Sequence, residues 1–277
     1  MKNSSTIKMH NDVEIPIIGF GTWQLNDGHE AYKSVRCALA AGYKHIDTAT
    51  IYGNERTIGR AIGDHNKGSR REDIFITTKV WNDDQGFDAT LQALDVSLKK
   101  LGTNYVDLYL VHWPVTETRL EAWRALEKLY KDGKAKAIGV SNYMVSHIEE
   151  LLEQCEIRPM VNQIELHPFN FKQREDVVQF CADHDIIVEA YSPVAQAQRF
   201  DDPVISQISA AHNVHPAQVM IRYLLQKGTV PLPRSTDEYH ITDNINVFNF
   251  ELSDGEMNNL DDLNEDLILT MDPKQFD

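Results

Sequence analysis

The feature that most constrains this fold is a regular alternation of short apolar runs with longer segments of helical periodicity. Each run is rich in β-branched residues and has the length of one strand. The eight predicted strands are Ile17–Gly21, His45–Asp47, Ile74–Lys79, Val106–Val111, Ala135–Ser141, Met160–Glu165, Ile186–Tyr191 and Thr229–Leu232. Because parallel strands need a crossover connection, this alternation predicts a parallel sheet with helices packed on it.

The segments between the strands have apolar residues at three- and four-residue steps, as amphipathic helices do. Leu120, Trp123 and Leu126 show this spacing. The predicted helices are Glu30–Ala41, Asn54–His65, Phe87–Leu101, Arg119–Asp132, Val145–Gln154, Gln173–His184, His215–Gln226 and Glu238–Asn246, with two additional helices at Pro203–Ala211 and Asp254–Asn264.

Eight such units predict an α/β protein with one (β/α)8 TIM barrel as a single domain over residues 1–277. The alternative is a doubly wound open sheet. That fold is expected to have a Gly-rich phosphate loop after an early strand, and no GxGxxG motif occurs here. The opening segment Thr6–Pro16 predicts a β-hairpin that turns at Asn11-Asp12 and covers the barrel floor.

The composition excludes some classes of partner. The formal net charge is −15, so nucleic acids and anionic membranes would be repelled over most of the surface. No run of about 18 apolar residues occurs, and no membrane span is expected. The three cysteines are widely spaced and odd in number, which argues against a disulfide framework and favours the cytoplasm. The acidic composition and the lack of an apolar tail favour a monomer.

Polar residues stand where neighbouring strands end. Asp47 ends the second predicted strand, Lys79 ends the third, and His112 directly follows the fourth. Tyr52 lies in the loop after Asp47. The carboxyl ends of barrel strands meet at one mouth, so we expect these four side chains to lie together. Each alone has an ordinary structural interpretation, such as a cap or an ion pair, but together they predict an active site.

These four side chains suit proton donation to a carbonyl oxygen. An ammonium beside a phenol favours the phenolate, which predicts a pKa for Tyr52 below its usual value of about 10. The Asp47 carboxylate would keep Lys79 charged, because an unpaired buried ammonium is costly. A neutral His112 could orient the carbonyl by a hydrogen bond. The set therefore suits protonation of the oxyanion that forms when hydride adds to a carbonyl.

Several motifs resemble those of the aldo-keto reductase superfamily, in order along nearly the whole chain. They are His45–Glu55 (HIDTATIYGNE), Lys79–Trp81 (KVW), Val111–Pro114 (VHWP), Gly139–Tyr143 (GVSNY), Asn162–Glu165 (NQIE) and Tyr191–Pro193 (YSP). The resemblance implies a (β/α)8 barrel that reduces aldehydes and ketones with NAD(P)H. It implies Tyr52 as general acid, Asp47 and Lys79 as its tuning pair, and His112 as substrate orienter. The pattern is most similar to the bacterial subgroup of 2,5-diketo-D-gluconic acid and methylglyoxal reductases.

The resemblance also assigns cofactor contacts. Leu232–Thr236 resembles the loop that holds a 2′-phosphate, and a guanidinium at Arg234 can bind phosphate through two hydrogen bonds, which favours NADPH. His240 stands where the family often has arginine, and an imidazole brings little positive charge at neutral pH, so NADH is the alternative cofactor. The implied contacts are Gly21, Thr22, Ser141, Asn142, Gln163, Tyr191, Ser192, Arg234, Ser235, Thr236, His240, Asp243 and Asn244, of which Ser141, Asn142 and Gln163 would hold the nicotinamide carboxamide and Tyr191 would stack on its ring.

The substrate site is expected to be an apolar cup at the same mouth, for a small-molecule carbonyl that is a small dicarbonyl, a keto-sugar or a keto-acid. Trp23, Trp81 and Trp113 each follow a strand, and with His112 they form the predicted substrate contacts. The resemblance associates long C-terminal tails with bulky substrates. The short segment Leu267–Asp277 is therefore expected to leave an open cleft for small carbonyls.

Two other functions fit parts of the pattern. A non-catalytic barrel could bind nucleotide as a sensor or structural subunit, although binding alone would not need the proton donor. A metal-dependent hydrolase could use His45, Asp47 and His112, but a carboxylate cluster or bridging lysine is missing. No metal is expected.

Overall fold

The computed structural model describes residues 2, 5–65 and 70–276 of the chain. The strands in this part are β1 (Thr6–Lys8), β2 (Glu14–Pro16), β3 (Phe20–Gly21), β4 (His45–Asp47), β5 (Phe75–Val80), β6 (Val106–Val111), β7 (Ala135–Ser141), β8 (Val161–Glu165), β9 (Ile187–Tyr191) and β10 (Val230–Pro231). The α-helices are α1 (His29–Ala41), α2 (Glu55–His65), α3 (Phe87–Leu101), α4 (Arg119–Lys131), α5 (Val145–Gln154), α6 (Phe171–Asp183), α7 (Pro203–His212), α8 (Pro216–Gln226), α9 (Glu238–Ile245) and α10 (Asp254–Asp261).

Strands β3 to β10 form one parallel sheet in chain order, and this sheet closes on itself. The backbone N–H groups of Gly19 and Gly21 donate to the carbonyl oxygens of Pro231 and Pro233, each at 3.0 Å. A Cβ atom on Gly19 would lie 2.5 Å from the Leu232 side chain, so glycine permits this close approach. The predicted (β/α)8 barrel is confirmed, and the doubly wound alternative is wrong.

The first two strands form the predicted hairpin outside the barrel sheet. They pair antiparallel with Ile7 opposite Ile15, and Ile15 is fully buried. At the turn, the Asn11 side chain donates to the carbonyl oxygen of Lys136 at 3.0 Å, near the start of β7. The hairpin therefore packs against the amino ends of the barrel strands, as predicted.

The element bounds differ from the predicted ones mainly where the barrel closes. The first and last barrel strands, β3 and β10, are shorter than the apolar runs that predicted them. Pro231 and Pro233 have no N–H to donate, so the regular ladder ends early. The two additional helices are present as α7 and α10, and they contact each other. None of the described helices is both long and apolar enough to span a membrane.

Candidate active site

The four polar residues predicted to act together do lie at one mouth of the barrel. Asp47 is the last residue of β4, Lys79 is the penultimate residue of β5, and His112 follows β6. Tyr52 ends a single 3-10 turn that begins just after β4. In the parallel register Asp47 pairs with Thr77 of β5. This brings the Asp47 carboxylate alongside the Lys79 side chain.

Lys79 and Asp47 form a buried ion pair. The Lys79 Nζ lies 2.8 Å from each carboxylate oxygen of Asp47, and it also donates to the carbonyl oxygen of Thr48 at 3.0 Å. Lys79 is 0% and Asp47 4% exposed. Burial lowers the pKa of Lys79, but the combined effects of Asp47, Tyr52 and Glu189 raise it more, and the net direction is upward. Lys79 is therefore held as an ammonium.

Tyr52 faces this ammonium from the cavity wall. The Lys79 Nζ lies 3.4 Å from the Tyr52 hydroxyl. Burial raises the pKa of Tyr52 above its usual value, and the opposing effect of Lys79 is smaller. The prediction of a lowered pKa was therefore wrong, because loss of water around the phenolate outweighs the attraction of the ammonium. The phenol remains protonated at neutral pH and holds a proton that it can donate.

His112 completes the group as a neutral imidazole. Its ring meets Trp81 edge to face with 5.1 Å between ring centroids, and Tyr52 with 5.8 Å. Burial and then the charge of Lys79 hold the pKa of His112 well below its usual value, as predicted for a neutral orienting histidine. A neutral ring carries its proton on one nitrogen, so it can donate a hydrogen bond without changing the charge of the site.

Asp47, Tyr52 and His112 line a cavity of about 680 Å³ at the barrel mouth. The predicted site residues on its wall are Gly21, Trp23, Asp47, Tyr52, Trp81, His112, Trp113, Ser141, Asn142, Gln163, Tyr191, Ser192, Arg234, Ser235, Thr236, His240, Asp243 and Asn244. Lys79 lies behind the wall. Thr22 is also buried, and its hydroxyl donates to the carbonyl oxygen of Asp47 at 2.8 Å instead of facing the cavity.

A set of amide and hydroxyl groups lies next to the ion pair. The Ser141 hydroxyl donates to the carbonyl oxygen of Gln163 at 2.9 Å. The Tyr191 hydroxyl donates to the side-chain oxygen of Asn142 at 2.8 Å. The Gln163 side-chain nitrogen donates to Asp47 at 2.9 Å. These groups provide donors and acceptors suited to a carboxamide. Among them, Gln163 is hydrogen-bonded directly to Asp47 of the proposed catalytic group.

The cavity wall also carries a guanidinium. Arg234 donates to the Gln24 side chain at 2.7 Å and to the carbonyl oxygen of Trp23 at 3.1 Å. Several wall residues were missed from the sequence, among them Gln24, Phe200 and His215. The His215 ring lies 5.2 Å from Phe200 and 5.5 Å from His240. No local motif marks Phe200 or His215, because loop packing alone brings them to the cavity.

The residues of this cavity fit a phosphorylated nicotinamide dinucleotide. The amide and hydroxyl set matches a carboxamide, and the guanidinium of Arg234 matches a phosphate. The aldo/keto reductase family model matches residues 17–265. The chain belongs to the aldo/keto reductase family.

Full-length relatives agree with this assignment. Glyoxal reductase of Bacillus subtilis (strain 168) is 49% identical over 94% of this chain and 93% of its own length. The 9,11-endoperoxide prostaglandin H2 reductase of Trypanosoma cruzi (strain CL Brener) is 46% identical over 99% of this chain and 96% of its own. The similarity to bacterial reductases confirms the predicted subgroup.

Solved structures show the same fold. An aldo/keto reductase from Brucella melitensis has a TM-score of 0.89 and 42% identity, covering 94% of this chain and 99% of that one. A Bombyx mori aldo-keto reductase in complex with NADP has a TM-score of 0.91 and 33% identity, covering 98% and 96%. Enzymes of this family reduce aldehydes and ketones with NADP(H), so the chain is an NADP(H)-dependent oxidoreductase.

The two other functions are not favoured. A non-catalytic barrel would not need the proton-donor group described above, and the family assignment points to an oxidoreductase. Within the described residues, no three His, Cys, Asp or Glu side chains are grouped so that they could hold a metal ion.

Proposed function

We propose that this protein reduces small, uncharged aldehydes and ketones, α-dicarbonyls such as methylglyoxal above all, with NADPH. Tyr52 is the proton donor. The observation that carries this proposal is the Tyr52 hydroxyl on the cavity wall, 3.4 Å from the Lys79 Nζ, with the Tyr52 ring 5.8 Å from the ring of His112.

The chain's own residues supply the proton and hold the substrate, while the reduced nicotinamide supplies the hydride. His112 donates a hydrogen bond to the carbonyl oxygen and directs it toward Tyr52. Tyr52 transfers its hydroxyl proton to that oxygen as negative charge develops there. Lys79 then stabilises the phenolate left on Tyr52, and Asp47 keeps Lys79 in place.

The proposed cofactor contacts divide along the cavity. Ser141, Asn142 and Gln163 hold the carboxamide, and Tyr191 with Ser192 lies against the ring. Gly21 forms the wall beside them, and Thr22 supports that wall from behind through its hydrogen bond to the carbonyl oxygen of Asp47. The adenosine and its 2′-phosphate are assigned to Arg234, Ser235, Thr236, His240, Asp243 and Asn244. Arg234 supports NADPH as the preferred cofactor, and NADH is the weaker alternative.

The preference for uncharged substrates rests on the charges of the cavity. Trp23, Trp81 and Trp113 form the substrate walls. Among the described residues that line the cavity, Arg234 is the one lysine or arginine, and it is assigned to the cofactor phosphate. No such cation is left for a substrate carboxylate, which would lose its hydration without compensation. The 49% identity to a glyoxal reductase supports the same substrate class.

Assays with NADPH test the mechanism and the substrate class together. Methylglyoxal should be turned over at least about 100-fold more efficiently than pyruvate, its carboxylate counterpart, since uncompensated burial of charge costs several kcal/mol. The Tyr52→Phe variant should bind NADPH normally and lose about 10³-fold in kcat, the usual range for a lost general acid. Full turnover by this variant would rule out Tyr52 as the donor. Equal use of pyruvate would rule out the substrate class.

We further propose a cytoplasmic monomer in which residues 1–277 form one domain. Cys37, Cys155 and Cys181 have free thiols, which supports a reducing compartment. Of the large apolar side chains exposed in the described part, Trp23, Ile51 and Met271 line the cavity. The others are isolated, which supports a monomer. Light scattering should give the mass of one chain, 31.6 kDa. The last residue of the Leu267–Asp277 segment, Asp277, lies outside the described residues.

A further inference from the structure

A buried carboxyl group on β9 has no part in the proposed mechanism. Glu189 is 0% exposed and points into the barrel. Its Oε2 accepts a hydrogen bond from the Gln163 Nε2 at 2.8 Å, across a register that pairs Gln163 with Glu189. Burial of a carboxyl group is costly, so this one calls for an explanation.

Two hydrogen bonds hold the Gln163 side-chain amide in place, and its nitrogen donates both. One N–H donates to Glu189 at 2.8 Å and the other to the Oδ2 of Asp47 at 2.9 Å. Asp47 is ion-paired with Lys79 and only accepts hydrogen bonds. The amide atom of Gln163 that faces Asp47 is therefore the nitrogen. The two anchors together fix the amide plane.

The amide oxygen of Gln163 is consequently left free. Gln163 lines the cavity, and within the described residues its Oε1 accepts no hydrogen bond, whereas its Nε2 makes both contacts given above. An amide oxygen fixed in this way can accept a hydrogen bond from a bound group, but it cannot donate one.

We propose that Glu189 is a positioning residue: it locks the Gln163 amide so that the oxygen accepts an N–H of the nicotinamide carboxamide. This inference rests on the proposed function, because it concerns how that cofactor is held. Glu189 acts through Gln163 and touches neither the substrate nor the reacting atoms.

The groups around Glu189 show that it can act without a charge. His45 and Asp47 on β4, Lys79 on β5 and Gln163 on β8 face it. Burial and then Asp47 raise the pKa of Glu189 to about 8, against the effects of Gln163 and Lys79. The Nε2 of His45 lies 3.6 Å from the other carboxyl oxygen, Oε1, and burial lowers the pKa of His45 to about 3, so His45 is neutral. A protonated Glu189 still accepts through Oε2, so the proposed role needs an oxygen, not a negative charge.

Two variants separate the oxygen from the charge. Glu189→Leu removes the acceptor, and Glu189→Gln keeps an acceptor oxygen without the carboxylate. Dissociation constants are measured for NADP+ and for its acetylpyridine analogue, in which a methyl ketone replaces the carboxamide and its N–H donors. Quenching of the cavity tryptophans reports binding, so the measurement does not depend on turnover.

The wild-type protein should bind NADP+ more tightly than the analogue. Glu189→Leu should weaken NADP+ binding about tenfold, the usual effect of one lost hydrogen bond, and change analogue binding less than about twofold. Glu189→Gln should keep the wild-type ratio of the two constants. If Glu189→Leu does not melt cooperatively, Glu189→Met, an unbranched apolar replacement, is measured in its place.

Two outcomes would overturn the inference. One is an unchanged ratio of the two constants in the apolar variant, and an equal loss of both ligands would then indicate a purely structural role. The other is loss of the wild-type ratio in Glu189→Gln. Failure of the proposed function looks different, because the wild-type protein would then bind neither ligand.

Discussion

Burial and the neighbouring Lys79 ammonium compete in setting the pKa of the Tyr52 phenol, since burial raises it and Lys79 lowers it. The Lys79 ammonium has three protons, and four acceptor atoms lie around it: two on Asp47, one on Thr48 and the Tyr52 hydroxyl. The Tyr52 contact is the longest, at 3.4 Å. The resting ammonium is thus committed mainly to Asp47 and Thr48. Its attraction for Tyr52 grows only when the phenolate forms, which is when proton transfer needs it.

This competition predicts how activity depends on pH. Because burial raises the pKa of Tyr52, the donor is protonated below that pKa and lost above it. The kcat for methylglyoxal reduction should stay level up to about pH 9 and fall above about pH 10, the ordinary tyrosine pKa. Alcohol oxidation needs the phenolate and should rise over the same range.

The check is a pH profile of kcat in both directions, with Glu189→Gln as the matched control. Glu189 has a pKa of about 8, so any titration near that pH should disappear in the control, while the alkaline limb remains. If kcat for reduction already decreases with rising pH before pH 8 is reached, in both proteins, then the pKa of Tyr52 is lowered after all.

Site residues could be predicted from the sequence where a local pattern, such as the end of a strand, marked their position. Asp47, Lys79 and His112 stand at or just after strand ends, so barrel topology alone brought them together. The pKa direction of Tyr52 depends on what packs around it, which no local pattern gives. Glu189 was missed although one signal was visible, since it is a charged residue within an otherwise apolar strand.

At the scale of elements, periodicity was enough to find strands and helices but not to place loops. Helices α3 and α5 have the predicted bounds, and α3 is flanked by Gly86 and Gly102, both with positive φ. The loop before α8 carries His215 into the cavity, next to His240. That contact joins the start of α8 to helix α9, so it depends on how these two helices pack together.

The loop between β10 and α9 should determine the choice of cofactor. Arg234 is its one cation on the cavity wall within the described residues. Arg234→Ala should weaken NADPH binding about 10- to 100-fold, because a charge-assisted hydrogen bond contributes about 1.5–3 kcal/mol, and leave NADH binding unchanged. Fluorescence titrations with both cofactors measure this.

Gln24→Ala is the matched control for the Arg234 variant. The Arg234 side chain also contacts Gln24 and the Trp23 backbone, so its removal could loosen the loop after β3. The control removes the Gln24 contact and keeps the guanidinium, and it should bind NADPH nearly as well as wild type. Equal losses of NADPH and NADH in Arg234→Ala would show that the arginine only supports the loop.

For the whole molecule, barrel closure is what creates the site. Asp47 on β4 and Gln163 on β8 lie 116 positions apart in the chain, yet their side chains meet at 2.9 Å. These strands are separated by three others in the sheet order, so the contact crosses the barrel interior. The same closure buries Glu189. Barrel closure therefore both assembles the site and imposes the free-energy cost of burying this carboxyl group.

That cost predicts how stability depends on pH. Glu189 has a pKa of about 8 in the folded protein, against 4.5 for an ordinary glutamate. A raised acid pKa means that the unfolded chain releases this proton at a lower pH than the folded protein does. The associated stability is therefore present below pH 4.5 and is lost as pH rises toward 8.

Glu189→Gln cannot ionise and should escape this loss. The free energy of unfolding in urea should therefore favour the variant by a larger margin at pH 8.5 than at pH 5. Glu153→Gln, at an exposed residue of α5, should show no such change of margin. A margin for Glu189→Gln that is constant with pH, or that shrinks as pH rises, would mean that Glu189 is already ionised in the folded barrel.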